Sequence, residues 1–259
     1  DGGSDKEAGR KVKKLLEEKG WHLTAIYNTH SNADHIGGNR YLQQNTGCRI
    51  FAPEIECDFT NHTVLEPSFL YGGYPFKELR HKFLMAQESR AEYLTDECLP
   101  DSLKKIDLPG HFFSMAGFIS EDGAVYLADC LSSAETIDKY KITFIYDVAG
   151  YLDTLQKVKK LEGRIFIPSH ADATDNIAPL AQINIDSVLY TGDTILRICA
   201  EPRSSEDILA ALFAEYGLAM TYEQYVLVGS TVRSYLSWLK DKGRAEAFFE
   251  GNRLLWRAV

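Results

Sequence analysis

Apolar positions along this chain follow two repeats, and the switches between them predict its elements. Val12, Leu15 and Leu16 recur at helical spacing in a charged segment, residues 8–19. Ser4 and Glu7 form a capping-box pair ahead of that segment, and Gly20 stops it. Residues 23–29 read as a buried strand that delivers His30 into a loop over 31–39. Residues 49–52 form a short strand closed by Pro53, and residues 106–108 and 123–128 read as strands followed by His111 and Asp129. Residues 151–161 are amphipathic, and residues 164–168 form a strand leading to His170. The recurring order is strand, then His or Asp in the next loop, then often a helix. That order predicts an α/β fold, in which a rigid sheet positions short loops at its strand ends.

Two regions depart from this order. Residues 54–103 look irregular, and residues 69–76 are too rich in Gly and Pro for a regular element. A long insertion of this kind is usually functional or interfacial. Its Phe69, Tyr71, Tyr74 and Phe76 suit either an apolar wall over a site or a plug or dimer contact. Arg80, Lys82 and Arg90 suit either an anionic substrate tail or a solvated face. The last sixty residues read as helices over 205–216, from Thr221, and over 230–242, then a hairpin over 245–249 and 254–259. Three helices and a hairpin resemble a winged-helix module, which divides the chain into residues 1–199 and 200–259.

Composition narrows the picture. The chain has 259 residues, 45% of them hydrophobic and 25% charged, enough for one large domain with a small appendage. Its formal charge of −9 argues against nonspecific binding to nucleic acid or anionic membranes. Residues 200–259 carry seven basic and eight acidic side chains, a net −1, so the winged-helix-like segment has no electrostatic footprint for DNA. Packing, a homodimer contact or a lid is the expected role. Five widely spaced cysteines with no C-x-x-C pair fit a reducing compartment, the cytoplasm, and argue against a disulfide framework. No run approaches the roughly 18 apolar residues of a membrane span. The chain opens without a signal peptide and without Met, so a preceding piece is expected to be missing.

Candidate chemistry concentrates in His30-Ser31-Asn32-Ala33-Asp34-His35, followed by Gly110-His111, Ala128-Asp129 and Ser169-His170. Imidazoles and carboxylates are the donors of zinc and its first-row neighbours. His22, His62 and His81 lie outside these motifs and read as surface or core residues. The order T-H-x-N-x-D-H, Gly-His, Asp, His resembles the metallo-β-lactamase superfamily over roughly residues 1–199, nearest to its hydroxyacylglutathione-hydrolase-like (glyoxalase II type) members.

The resemblance implies a four-layer αββα sandwich whose first strands would precede Asp1. It implies one or two zinc ions, with iron or manganese as alternatives. His30 and His111 would face one ion, Asp34, His35 and His170 the other, and Asp129 would bridge them. It also implies a hydrolase in which metal-bound hydroxide attacks an ester, thioester or lactone of a small-molecule acyl substrate. Asp34 would orient the nucleophile, and Asp129 would serve as ligand or proton acceptor. Phosphodiesters are the second substrate class, and a non-catalytic relative acting through protein contacts is the alternative. Asn32 departs from the pattern, standing where the second histidine belongs. An amide oxygen is a weaker zinc ligand than imidazole. Three roles remain open for it: closing its own loop, binding metal, or touching substrate.

Overall fold

The computed structural model describes residues 1–259. The chain forms two compact units, neither continuous in sequence: Asp1–Asp107 with Phe113–Asp122, and Leu108–Phe112 with Gly123–Val259.

The first unit opens with α1 (Lys6–Lys19), whose cap is Asp5 and not Ser4. The Asp5 carboxylate accepts from the Glu7 and Ala8 amides at 3.0 Å, which leaves the expected Ser4 pairing no role. Gly20 closes the helix in the left-handed conformation, as its position predicts. A parallel sheet follows, built from β1 (Ala25–Tyr27), β2 (Arg49–Ala52) and β3 (Ala91–Tyr93). Between the first two strands run α2 (Ala33–Ile36), inside the stretch 31–39 that the sequence pattern predicts as a loop, and α3 (Asn39–Thr46). Ile26, Leu42, Cys48 and Ile50 form the core that joins α3 to the sheet. The region that reads as irregular contains α4 (Glu54–Asn61) and α5 (Leu65–Tyr71), so Phe69, Leu70 and Tyr71 of the Phe69–Phe76 segment are helical. The unit ends with β4 (Leu103–Asp107) and β5 (Ala116–Ser120), paired antiparallel from Leu103↔Ser120 to Asp107↔Ala116.

In the second unit β6 (Ala124–Ser132) pairs in parallel with β7 (Ile165–His170), with shifts of register around Ala128. Between them lie α6 (Ala134–Tyr140) and α7 (Val148–Val158), which buries Tyr151, Leu155 and Val158. The longest helix, α8 (Ala178–Ile198), has no counterpart among the predicted elements. It is followed by α9 (Ser205–Tyr216), closed at its start by a Ser204–Asp207 capping box. The two helices expected from Thr221 and over 230–242 are one, α10 (Tyr222–Asp241), burying Val228, Val232, Tyr235, Leu236 and Leu239. The expected hairpin is present as β8 (Ala245–Glu250) and β9 (Arg253–Ala258). Trp256 and Arg203 exchange backbone hydrogen bonds at 2.8 and 3.0 Å, tying the hairpin to the start of α9. All five cysteines are free thiols, and no helix is long and apolar enough to cross a membrane.

Candidate metal centre

In the first unit, His30 to His35 occupy the turn from β1 into α2. His30 is fully buried, and its ring lies 4.0 Å from that of His35, centroid to centroid. Asp1 orders this pair. Its carboxylate accepts from the Thr29 amide (2.8 Å) and hydroxyl (2.9 Å) and from His35 Nδ1 (3.0 Å). With its proton given to Asp1, the Thr29 hydroxyl accepts from His30 Nδ1 at 3.0 Å. Both rings therefore carry their proton on Nδ1 and offer Nε2 as a lone-pair donor. Asp34 is half exposed, with Oδ2 3.7 Å from His35 Nε2.

Two buried carboxylates hold the residues between these histidines. Glu56 of α4 accepts from Ser31 through both N (3.1 Å) and Oγ (2.6 Å), and from the Ser114 amide at 2.9 Å. Burial pushes its carboxyl up to about 7, against the pull of those three hydrogen bonds. Glu66 of α5 accepts from Asn32 Nδ2 at 2.7 Å. Burial raises its carboxyl well above the usual carboxylate range, again against its hydrogen bonds.

The second unit assembles its own set. Gly110 has φ +120°, and a Cβ there would lie 2.2 Å from the Tyr151 amide nitrogen, so only glycine lets the chain pass α7 this closely. The next residue, His111, donates Nδ1–H to the Phe144 carbonyl at 3.1 Å, which fixes the same tautomer as in His30 and His35. Its Nε2 lies 3.7 Å from Asp129 Oδ2, and His170 Nε2 lies 2.9 Å from the same oxygen. Asp129 follows Ala128, whose φ of 51° turns β6 at the point where its register with β7 shifts. Two imidazoles thus converge on one carboxylate oxygen, a donor set that fits a divalent first-row metal ion.

Sequence reasoning singles out His30, Asn32, Asp34 and His35, which the first unit brings together, and His111, Asp129 and His170, which the second does. It misses Asp1, Thr29, Glu56 and Glu66. The Asp-Gly-Gly opening is a signal for Asp1, because the Gly2 and Gly3 amides bond the His35 carbonyl at 2.8 and 3.2 Å. A Cβ on Gly2 would strike Asn39.

Residues 1–170 match the family model described as metallo-beta-lactamase superfamily. The chain belongs to this superfamily. A metallo-beta-lactamase family protein from Thermus thermophilus has the same fold, with a TM-score of 0.74 at 16% identity over 99% of this chain and 89% of that one. A beta-lactamase domain protein from Burkholderia ambifaria gives 0.70 at 16% identity, over 100% and 81%. The metallo-β-lactamase α/β fold expected from the motifs is therefore the fold of this chain. Within the superfamily the chain is locally similar to hydroxyacylglutathione hydrolase from Erythrobacter litoralis, 40% identical over 50 residues. That stretch is 19% of this chain and spans about a fifth (20%) of the relative.

Proposed function

We propose that this superfamily member is a metal-dependent hydrolase of acyl compounds, with thioesters, esters and lactones as the substrate class. On the superfamily pattern, His30 and His111 would serve one ion, Asp34, His35 and His170 the other, and Asp129 both. One observation carries the reading most. His30, His35 and His111 are each held at Nδ1 by a neighbour from their own unit, so each offers Nε2. A metal-ligating histidine is held in this way, with its other ring N–H given to a neighbouring acceptor. The local likeness to hydroxyacylglutathione hydrolases supports the acyl class.

Divalent zinc, or iron or manganese, would supply Lewis acidity and a water acidic enough to ionise near neutral pH. The chain's own contribution is charge and orientation. Asp129 Oδ2, within reach of His111 and His170, balances cationic charge. Asp34, half exposed beside His35, is placed to orient a water and accept its proton. The segment over 200–259 then serves as a packing or dimerisation module.

The test is a panel of thioesters, esters, lactones and a phosphodiester, run on zinc- and manganese-loaded protein with Asp34→Ala alongside. Acyl turnover is expected, with kcat/KM reduced at least about 100-fold in the variant. An Asp34→Ala protein as fast as its parent would place the chemistry elsewhere.

A further inference from the structure

The Asp1 carboxylate that orders His30 and His35 is itself held by two amides reaching back to the start of α3. Asn39 Nδ2 donates to Asn28 Oδ1 at 2.7 Å, and Asn28 Nδ2 donates to Asp1 Oδ1 at 3.3 Å. Both asparagines are fully buried. Asn39 opens α3, yet no side chain caps that helix, so its amide is not kept for its own turn. A buried amide is costly unless it is hydrogen-bonded. These two direct their bonds, one through the other, at a single carboxylate.

The direction of this relay is fixed at its end. A carboxylate only accepts, so Asn28 turns its NH2 to Asp1 and its oxygen to Asn39, which answers with its own NH2. The same acceptor takes the Thr29 hydroxyl proton at 2.9 Å and the His35 Nδ1 proton at 3.0 Å. Thr29 Oγ1 then has only lone pairs to offer His30 Nδ1, 3.0 Å away. Asn39 bears the cost of this alignment. Its Oδ1 is buried with no hydrogen-bond partner, packed where a Cβ on Gly2 would strike it. Turned over, the amide would instead set two oxygens face to face at Asn28. The orphaned oxygen is thus the consequence of keeping every donor aimed toward Asp1.

We infer that Asn28 and Asn39 are positioning residues that hold the Asp1 carboxylate in line, and through it keep His30 and His35 in the tautomer that offers Nε2. Every group in the relay belongs to the first unit. The relay rests on the metal-centre reading only for its purpose, since the two tautomers exist without an ion.

The experiment reads the tautomers directly, in metal-free protein. The whole chain, carrying 15N-labelled histidine, is compared with Asn28→Leu, Asn39→Leu and the double variant by nitrogen NMR at about pH 8.5, where imidazoles are neutral. The parent is expected to hold both rings as Nδ1–H by at least about tenfold, the ratio that one hydrogen bond to a charged acceptor supplies. Asn28→Leu lowers that ratio by about tenfold and Asn39→Leu by about threefold. The double variant matches Asn28→Leu, because Asn39 acts through Asn28. Leu42→Ala is the packing control: it opens the core that joins α3 to the sheet and leaves both tautomers as in the parent. Should Asn39→Leu fail to fold, Asn39→Ser withdraws the same amide with less bulk and carries the same expectation. Mixed tautomers in the parent, parent-like tautomers in either single variant, additive effects, or an equal shift in Leu42→Ala each overturn the inference. A parent that keeps both tautomers but binds no zinc overturns the metal-centre reading and leaves the relay standing.

Discussion

Residues around the histidines adopt states that a free amino acid avoids, and two of them give measurable consequences. Ala128 is fully buried in the left-handed region with φ 51°, a conformation costing a non-glycine residue about 1–3 kcal/mol. Ala128→Gly is therefore expected to keep stability within about 1 kcal/mol of the parent in urea unfolding. Ala128→Val should lose about 2–3 kcal/mol, because a β-branched side chain is excluded there. Equal losses for both would mean that packing, not backbone strain, governs the site. Glu56 gives a pH signature. Its carboxyl is raised from 4.5 to about 7 in the folded state, so the native protein retains a proton that the unfolded chain has released. Stability from this group therefore falls as pH rises through that window, by about 2–3 kcal/mol between pH 5 and 8. Urea unfolding of Glu56→Gln at both pH values is expected to show a correspondingly smaller drop than the parent. These residues were not legible in the sequence. Glu56 and Glu66 lie 25 and 34 positions from the residues they hold, and spacing along a chain does not reveal such pairs.

At the scale of elements, legibility followed the inward face. The strand over 49–52, the C-terminal hairpin and α7 have apolar inward positions and were readable. The inward face of α4 carries Glu56 and Thr60, and that of α5 carries Glu66, so the apolar repeat is broken where the chain places its carboxylates. Neither helix has a capping side chain to mark its start, and the same is true of α8. Yet α8 buries Ala181, Ile185, Val188 and Ile195 at helical spacing, a repeat visible once the missing cap is discounted. In α10 the Gly229-Ser230 pair reads as a boundary, but both residues are buried inside one continuous helix. The approach of the His111 loop to α7 yields a prediction at this scale. Gly110→Ala would drive a Cβ into the Tyr151 backbone, and is expected to cost about 2–4 kcal/mol. It should also weaken metal binding by moving His111. Chemical denaturation and metal titration of the variant check both parts, and parent-like values would mean that the loop tolerates displacement.

For the whole molecule, the family and its fold were legible because motifs far apart in sequence occur in a fixed order, ending with His170. Their arrangement into two discontinuous units was not, since no periodicity reports which distant segments meet. A metal centre of the proposed kind couples to stability. Saturation at about a thousandfold excess over Kd adds about 4 kcal/mol. Chelation should therefore lower the thermal midpoint by roughly 10 °C, and reloading should restore it. An unchanged midpoint in calorimetry would mean that no tight site exists. The interleaving of the units also has a consequence for synthesis. Leu108–Phe112 emerges with the first unit but belongs to the second, whose other stretch is Gly123–Val259. At about 5–20 residues per second, the ribosome needs roughly 7–27 s after Asp122 to supply that stretch. For that interval Leu108 and Phe112, both fully buried in the finished protein, are apolar side chains without their unit. The stretch that carries His111 is thus a point of apolar exposure in the nascent chain.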